Sequence, residues 1–171
     1  MCEQCDYLAA NAGRASEATL EAEFRRMQRA RIRDLIDRGS WLVTLVEDWP
    51  WLAYTVGLWS RGHPEICVSG MRTTQAHALL NEIAQRVVDG LPIADGDEIV
   101  CDHGLPMMAF RVPKPELFVP QANWFYRRKP RNSVPALQLV YPDAHGTWPW
   151  EPDCHLFPGA QPMPGDDPYP D

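Results

Sequence analysis

The sequence predicts an α+β domain: a mostly antiparallel twisted sheet or half-open barrel, covered by two main helices and continued by an extended Pro-rich C-terminal tail. Three observations carry this. Short β-branched runs bounded by Gly, Pro and Asp recur along the chain, the pattern of strands joined by tight turns. One segment, 73–89, repeats apolar residues at helical spacing. With 171 residues and 45% apolar content, the chain is long enough to bury about 70% of its unfolded surface in one core. The expected organisation is an N-terminal CxxC segment 1–15, a single α+β domain 16–141, and a Trp/Pro-rich loop and tail 142–171.

Taken in order, the N-terminal segment is polar and holds Cys2-Glu3-Gln4-Cys5. Ser16 suits a helix N-cap, with Glu17 and Glu21 in the first turns, where the helix dipole favours acids. Gly39 suits the left-handed stop of a helix reaching Arg38, with Leu20, Phe24, Met27, Leu35 and Ile36 as its stripe. Trp41–Glu47 reads as a strand and 48–51 as a turn. In WLAYTVGLWSRGHPEICVSG, Trp51–Gly70, the runs Leu52–Leu58 and Ile66–Ser69 flank Gly62, His63 and Pro64. Pro cannot donate to a ladder and Gly supplies unusual dihedrals, so this stretch predicts the central hairpin.

The second half follows the same logic. Ala76, Leu79, Leu80, Ile83, Ala84 and Val87 fall on one helical face, with Thr73 or Thr74 as cap and Gly90 as the end. Glu98–Asp102 and Met107–Val112 predict a hairpin closed by His103–Pro106, and Pro113 and Pro115 break it. Pro120–Arg128 predicts a short helix with Pro at its first position, and Val134–Tyr141 a last strand. From Pro142 onward there is no periodicity. The 17 Pro residues are about twice the usual share of about 5%, and most follow Leu91, so short strands and long loops are expected there.

Composition narrows the function classes. A net charge of −7 and a sequence pI near 5.2 argue against non-specific binding to nucleic acid or to an anionic membrane. No apolar run approaches about 20 residues, and no basic segment precedes an apolar one at the N-terminus, so a soluble, cytoplasmic protein is expected. Five cysteines without a secretion signal argue against a disulfide framework.

Several residues are candidates for chemistry. Cys2 and Cys5 have the C-x-x-C spacing that zinc or a redox dithiol uses, and Cys154 with His155 would complete a Cys₃His site. The alternative is a pair of ordinary cysteines in a terminal segment. His63 and Glu65 share the central turn, beside Tyr54 on the preceding strand, and suit a base or a ligand contact. They equally suit a turn that caps its own backbone. Asp143, His145, Trp148, Trp150 and Glu151 lie in YPDAHGTWPWEP, where acid, imidazole and indole in a Pro-fixed loop suit a small-ligand pocket. The competing reading has both Trp residues plugging the sheet and Asp143 holding a turn. Cys67 reads as core. Cys101 beside Asp102 and His103 is set aside as a nucleophile, because adjacent strand residues point to opposite faces. No GxGxxG, P-loop, HExxH or GxSxG is present.

The succession MCEQCD, AYTVGL, GHPEI, LLNEIAQRVVDG, ALQLVYPDAHGTWPWE and QPMPG resembles domain-of-unknown-function family 4262, small bacterial proteins common in actinobacteria. The resemblance implies one family domain over nearly the whole chain and no settled activity. It implies that Cys2/Cys5, Tyr54–Leu58, Gly62–Glu65 and Gln138–Glu151 belong to the family pattern, whereas Cys154 and His155 depart from it.

The expected function is a non-catalytic binding or accessory protein that recognises a small molecule or a protein partner. A flavin-binding, split-barrel-like oxidoreductase holding FMN is the first alternative, by fold analogy. A zinc-stabilised domain using the N-terminal cysteines is the second. Catalysis, the oligomeric state and the ligand's identity stay open at this level.

Overall fold

The computed structural model describes residues 3–46, 51–157 and 159–163. The chain forms two compact units, Met1–Ser40 and Trp41–Asp171.

The first unit is a helical pair, α1 (Glu3–Ala10) and α2 (Glu17–Asp37). Helix α1 lies in the polar N-terminal segment, for which the sequence names no helix. Eight residues are too few to hold a helix alone, and the missing stabilisation comes from tertiary contact. The Tyr7 ring packs on Phe24 with centroids 5.4 Å apart, and its hydroxyl donates to Glu23 Oε2 at 3.1 Å. Ser16 caps α2 as expected, accepting from the Thr19 amide, and Gly39 stops it with φ +84°. The buried stripe is Leu20, Phe24 and Ile32, while Met27 stays 53% exposed.

The second unit contains a six-stranded mixed sheet: β1 (Leu42–Val46), β2 (Leu52–Val56), β3 (Glu65–Ser69), β4 (Glu98–Val100), β5 (Pro106–Arg111) and β6 (Ala136–Val140). The spatial order is β1-β2-β3-β6-β5-β4. Two antiparallel halves, β1-β2-β3 and β6-β5-β4, join through one parallel pairing that sets Glu65 opposite Ala136 and Val68 opposite Leu139. The sheet is not closed into a barrel; β1 and β4 are its edges. The two central strands, β3 and β6, are buried at every position, as a parallel pair covered on both faces requires.

Helix α3 (Thr73–Val88) covers one face. Its Ala76, Leu79, Leu80, Ile83 and Ala84 enter a core with Ala53, Ile66, Val68, Met107, Ala109, Leu137 and Leu139. These are the positions the helical spacing predicts. Neither Thr73 nor Thr74 caps α3, however. Arg72 holds the N-cap position without a side-chain hydrogen bond, and Asp89 and Gly90 (φ +91°) end the helix. Two short helices, α4 (Pro115–Phe118) and α5 (Pro120–Phe125), each begin with Pro in the first turn. The Tyr54 hydroxyl accepts the Gln121 amide at 3.2 Å and anchors α5 to β2.

Strand β2 ends earlier than expected. At Gly57, φ is +143°, and the chain enters a 3-10 turn, Leu58–Arg61, before reaching β3. Of the turn expected at 48–51, all but Trp51 lies outside the described residues. No helix among the described residues is long and apolar enough to cross a membrane.

Candidate functional site

Strands β3 and β6 run parallel side by side, but their exits diverge. From β3 the chain turns at Gly70 into α3, whereas from β6 it continues through Tyr141 and Pro142 into the C-terminal loop. Divergent exits from neighbouring parallel strands leave a crevice outside their carboxyl ends, the usual ligand position in sheets of this kind. A cleft of about 990 Å³ lies there. Its walls are the β3–α3 turn (Gly70, Met71, Arg72), one flank of α3 (Thr74, Gln75, Ala78, Leu79, Glu82), the β4–β5 turn (Cys101, Asp102, His103, Leu105), the β6 exit (Tyr141 to Ala144), and Trp51 and Leu156.

The polar groups of the cleft are cross-braced. Arg86 on α3 donates to Glu82 Oε1 and to Asp102 Oδ1, both at 2.7 Å, and to the Val100 carbonyl at 2.7 Å. The Asp102 amide also donates to Glu82 Oε1 at 2.7 Å. The β4–β5 turn is thereby pinned to α3, with Gly104 (φ +82°) donating back to the Cys101 carbonyl. Cys101, His103 and Glu82 consequently meet, each offering one ligand atom within 4.8 Å of the other two. Cys101 is buried, Glu82 half-buried and His103 exposed.

Sequence reasoning missed this trio. The rule of opposite faces, used to set Cys101 aside, holds only within a strand; β4 ends at Val100, and Cys101 and His103 lie in the tight turn closed by the Gly104 amide on the Cys101 carbonyl. The Cys-x-His spacing was the available signal. Glu82, on a distant helix, gave none.

The residues nominated from sequence fall into two other groups. Glu65 is fully buried and faces the Gly57–Trp59 backbone. It accepts from Thr55 Oγ1 (2.7 Å), Gly57 N (2.8 Å), Leu58 N (3.3 Å) and Trp59 N (3.2 Å). Burial nevertheless outweighs these four donors and pushes its pKa up to about 7. His63 is buried beside it in sequence but turned elsewhere. Its Nε2 accepts the Ile93 amide at 3.0 Å, which leaves Nδ1–H to donate to the Pro64 carbonyl at 2.7 Å. His63 spends its ring nitrogens on backbone, Glu65 its carboxylate on backbone amides and the Thr55 hydroxyl, and Tyr54 its hydroxyl on the backbone of α5. None of the three lines the cleft.

The second group builds the C-terminal loop. Asp143 borders the cleft, but its carboxylate is turned inward. Its Oδ1 accepts the His145 and Thr147 amides, and its Oδ2 the His155 amide, at 2.8–2.9 Å. Led by the His155 amide, these donors hold the carboxyl well below its ordinary range. The rings of His145 and His155 meet at 5.2 Å. Trp148 and Trp150 stack at 5.0 Å, and Trp150 sits edge-on to Phe110 of β5. Glu151 accepts the Trp148 amide. Asp143 thus organises the loop and gathers the two imidazoles, while the two indoles pack on each other and on Phe110.

Of the expected four-ligand zinc set, Cys2 lies outside the described residues. Cys5 is in α1 of the first unit, exposed. Cys154 donates its thiol to the Thr147 carbonyl at 3.7 Å, and His155 Nδ1 lies 3.4 Å from Asp143. Cys67 is core as expected, and burial pushes its thiol pKa up.

Comparison with curated proteins and with solved structures gives no match. A family model described as a domain of unknown function, DUF4262, matches residues 35–155. That span takes in every strand, α3 and all walls of the cleft except Leu156. The chain therefore belongs to the DUF4262 family.

Proposed function

We propose that this chain is a small-molecule binding protein whose ligand, an apolar body carrying an anionic group, sits in the cleft at the carboxyl ends of β3 and β6. The observation that carries the reading is the cleft itself: about 990 Å³, at the upper end of the range for small-molecule sites. Met71, Leu79, Leu105, Leu156 and Tyr141 supply apolar wall. The anionic group is inferred from Arg72, next to Met71 in the β3–α3 turn. Arg72 lines the cleft, is exposed, and precedes an α3 N-terminus without a side-chain cap. A guanidinium without a partner among the described residues, beside amides without a side-chain cap, favours negative charge on the ligand.

The test uses 1-anilinonaphthalene-8-sulfonate, which has both features, as a fluorescent probe. Ala78 is exposed on the α3 wall, so Ala78→Trp fills the cleft without touching the core. Binding to the unaltered chain, lost in Ala78→Trp and weakened roughly 10-fold or more in Arg72→Ala, is expected, since a hydrogen bond to a charged group contributes about 1.5–3 kcal/mol. Equal binding by Ala78→Trp would exclude the cleft as the site.

A further inference from the structure

We infer that Glu82, Cys101 and His103 form a divalent metal site of the zinc type, at the end of the cleft formed by α3 and the β4–β5 turn. The inference does not depend on the organic ligand proposed above, because the ion is read on the protein alone.

The donor set is the first argument. A thiolate, an imidazole and a carboxylate are together a zinc set; calcium and magnesium select oxygen ligands only. The spacing is the second. Bonds of 2.0–2.3 Å at tetrahedral angles put ligand atoms about 3.5 Å apart, and these three already lie within 4.8 Å of one another. His103 is on an exposed turn, where the side-chain rotation that would close the difference is cheap. Three protein ligands leave a fourth position for water or for a ligand group in the cleft.

The third argument is the support around the trio. Metal sites hold their carboxylates by outer hydrogen bonds. Arg86 and the Asp102 amide do this for Glu82, and both act on Oε1. The same Arg86 ties the turn carrying Cys101 and His103 to the helix carrying Glu82, through Val100 and Asp102. Its positive charge is balanced by Asp102, so the trio does not carry it alone. On binding, the Cys101 thiol loses its proton to buffer and the thiolate sulfur bonds the ion, so binding tightens as pH rises.

The experiment strips the full chain with a chelator and titrates cobalt(II), then displaces it with zinc. The background carries Cys2→Ser and Cys5→Ser, so that the N-terminal cysteines contribute nothing. One cobalt per chain is expected, with a thiolate-to-cobalt charge-transfer band that zinc abolishes. The band should vanish in Cys101→Ser. Cobalt affinity should fall in His103→Ala and Glu82→Gln by more than the roughly 10–100-fold typical of losing an outer-shell partner. Because Cys101 is buried, circular dichroism checks that its variant folds; if it does not, the exposed His103→Ala decides. A folded chain with no band, a band that survives Cys101→Ser, or unchanged affinity in His103→Ala overturns the site. A Cys101 that alkylates at the same rate with and without zinc overturns it too, and points to a Cys–His pair working without an ion.

Discussion

Glu65 shows how one buried ionisable residue can shape a loop. Its four donors come from Thr55 and three consecutive amides, Gly57 to Trp59. Without the carboxylate those amides, buried at Gly57 and Leu58 and part-buried at Trp59, would be unpaired where β2 gives way to the 3-10 turn. Removing a partner in such a place costs about 1–3 kcal/mol per orphaned group. Glu65→Gln places an NH₂ where an oxygen accepts, so it should lower stability by at least about 1 kcal/mol, read by urea denaturation. The pH dependence is distinctive. The folded pKa is raised to about 7, above the ordinary value, so the folded state binds more protons than the unfolded one between about 4.5 and 7. The stabilisation from that protonation is present below the unfolded value and is lost as pH rises through 7. Glu65→Gln cannot titrate, so the stability gap between the two chains should narrow from pH 5 to pH 8. A gap that is constant, or that widens, would show that the four donors outweigh burial.

At the scale of elements, the β3–α3 turn is where the fold tolerates least. Gly70 has φ +72°, and a Cβ there would run into the carbonyl of Ala160. Residues 159–163 press on this turn and also bond the sheet: Gln161 pairs with both the amide and carbonyl of Tyr141, and Gln138 donates to the Pro162 carbonyl. Gly70→Ala should therefore cost more than the roughly 1–2 kcal/mol of a left-handed L-residue, with faster proteolysis around residue 160. Gly62→Ala is the control. Its φ is +81° but no atom lies within 4 Å of the added Cβ, so it should show the dihedral cost alone. Equal melting temperatures for the two variants would remove the steric argument. None of this closeness is visible in the sequence, where Gly70 is only a strand end. What was legible is whatever repeats locally: the α3 face, the Ser16 cap and the Gly39 stop follow from spacing and turn chemistry. What was not legible depends on distant chain. Helix α1 exists because Tyr7 finds Phe24, and the Glu82–Cys101–His103 trio exists because Arg86 ties a turn to a helix. His63 and Glu65 were nominated from their turn, and their polar atoms go to backbone and, for Glu65, to the Thr55 hydroxyl as well.

At the scale of the sheet, the decisive feature is the one parallel pairing. Hairpins can assemble β1-β2-β3 and β5-β4 from neighbours in sequence, but β6 joins β3 across 66 residues of chain, from Ser69 to Ala136. This pairing welds the antiparallel halves together, and its divergent exits open the cleft. Stability and the candidate site thus share one origin. The consequence is measurable by native-state hydrogen exchange. Amides of Ile66–Val68 and Leu137–Leu139 sit on fully buried strands with neighbours on both sides. Their opening should require nearly the whole unfolding free energy, about 5–15 kcal/mol for a domain. Edge strand β4 is short and its Val100 is 56% exposed, so its amides should open locally at much lower cost. β1, the other edge, should be intermediate, since only its β2 side is paired and its strand is half-buried. If β6 instead exchanged with β4 and β5 as one early-opening group, separate from β3, the parallel pairing would be a weak seam between two independent halves. The cleft at its end would then open and close with that seam, and ligand binding there would slow exchange in β6 more than in β3.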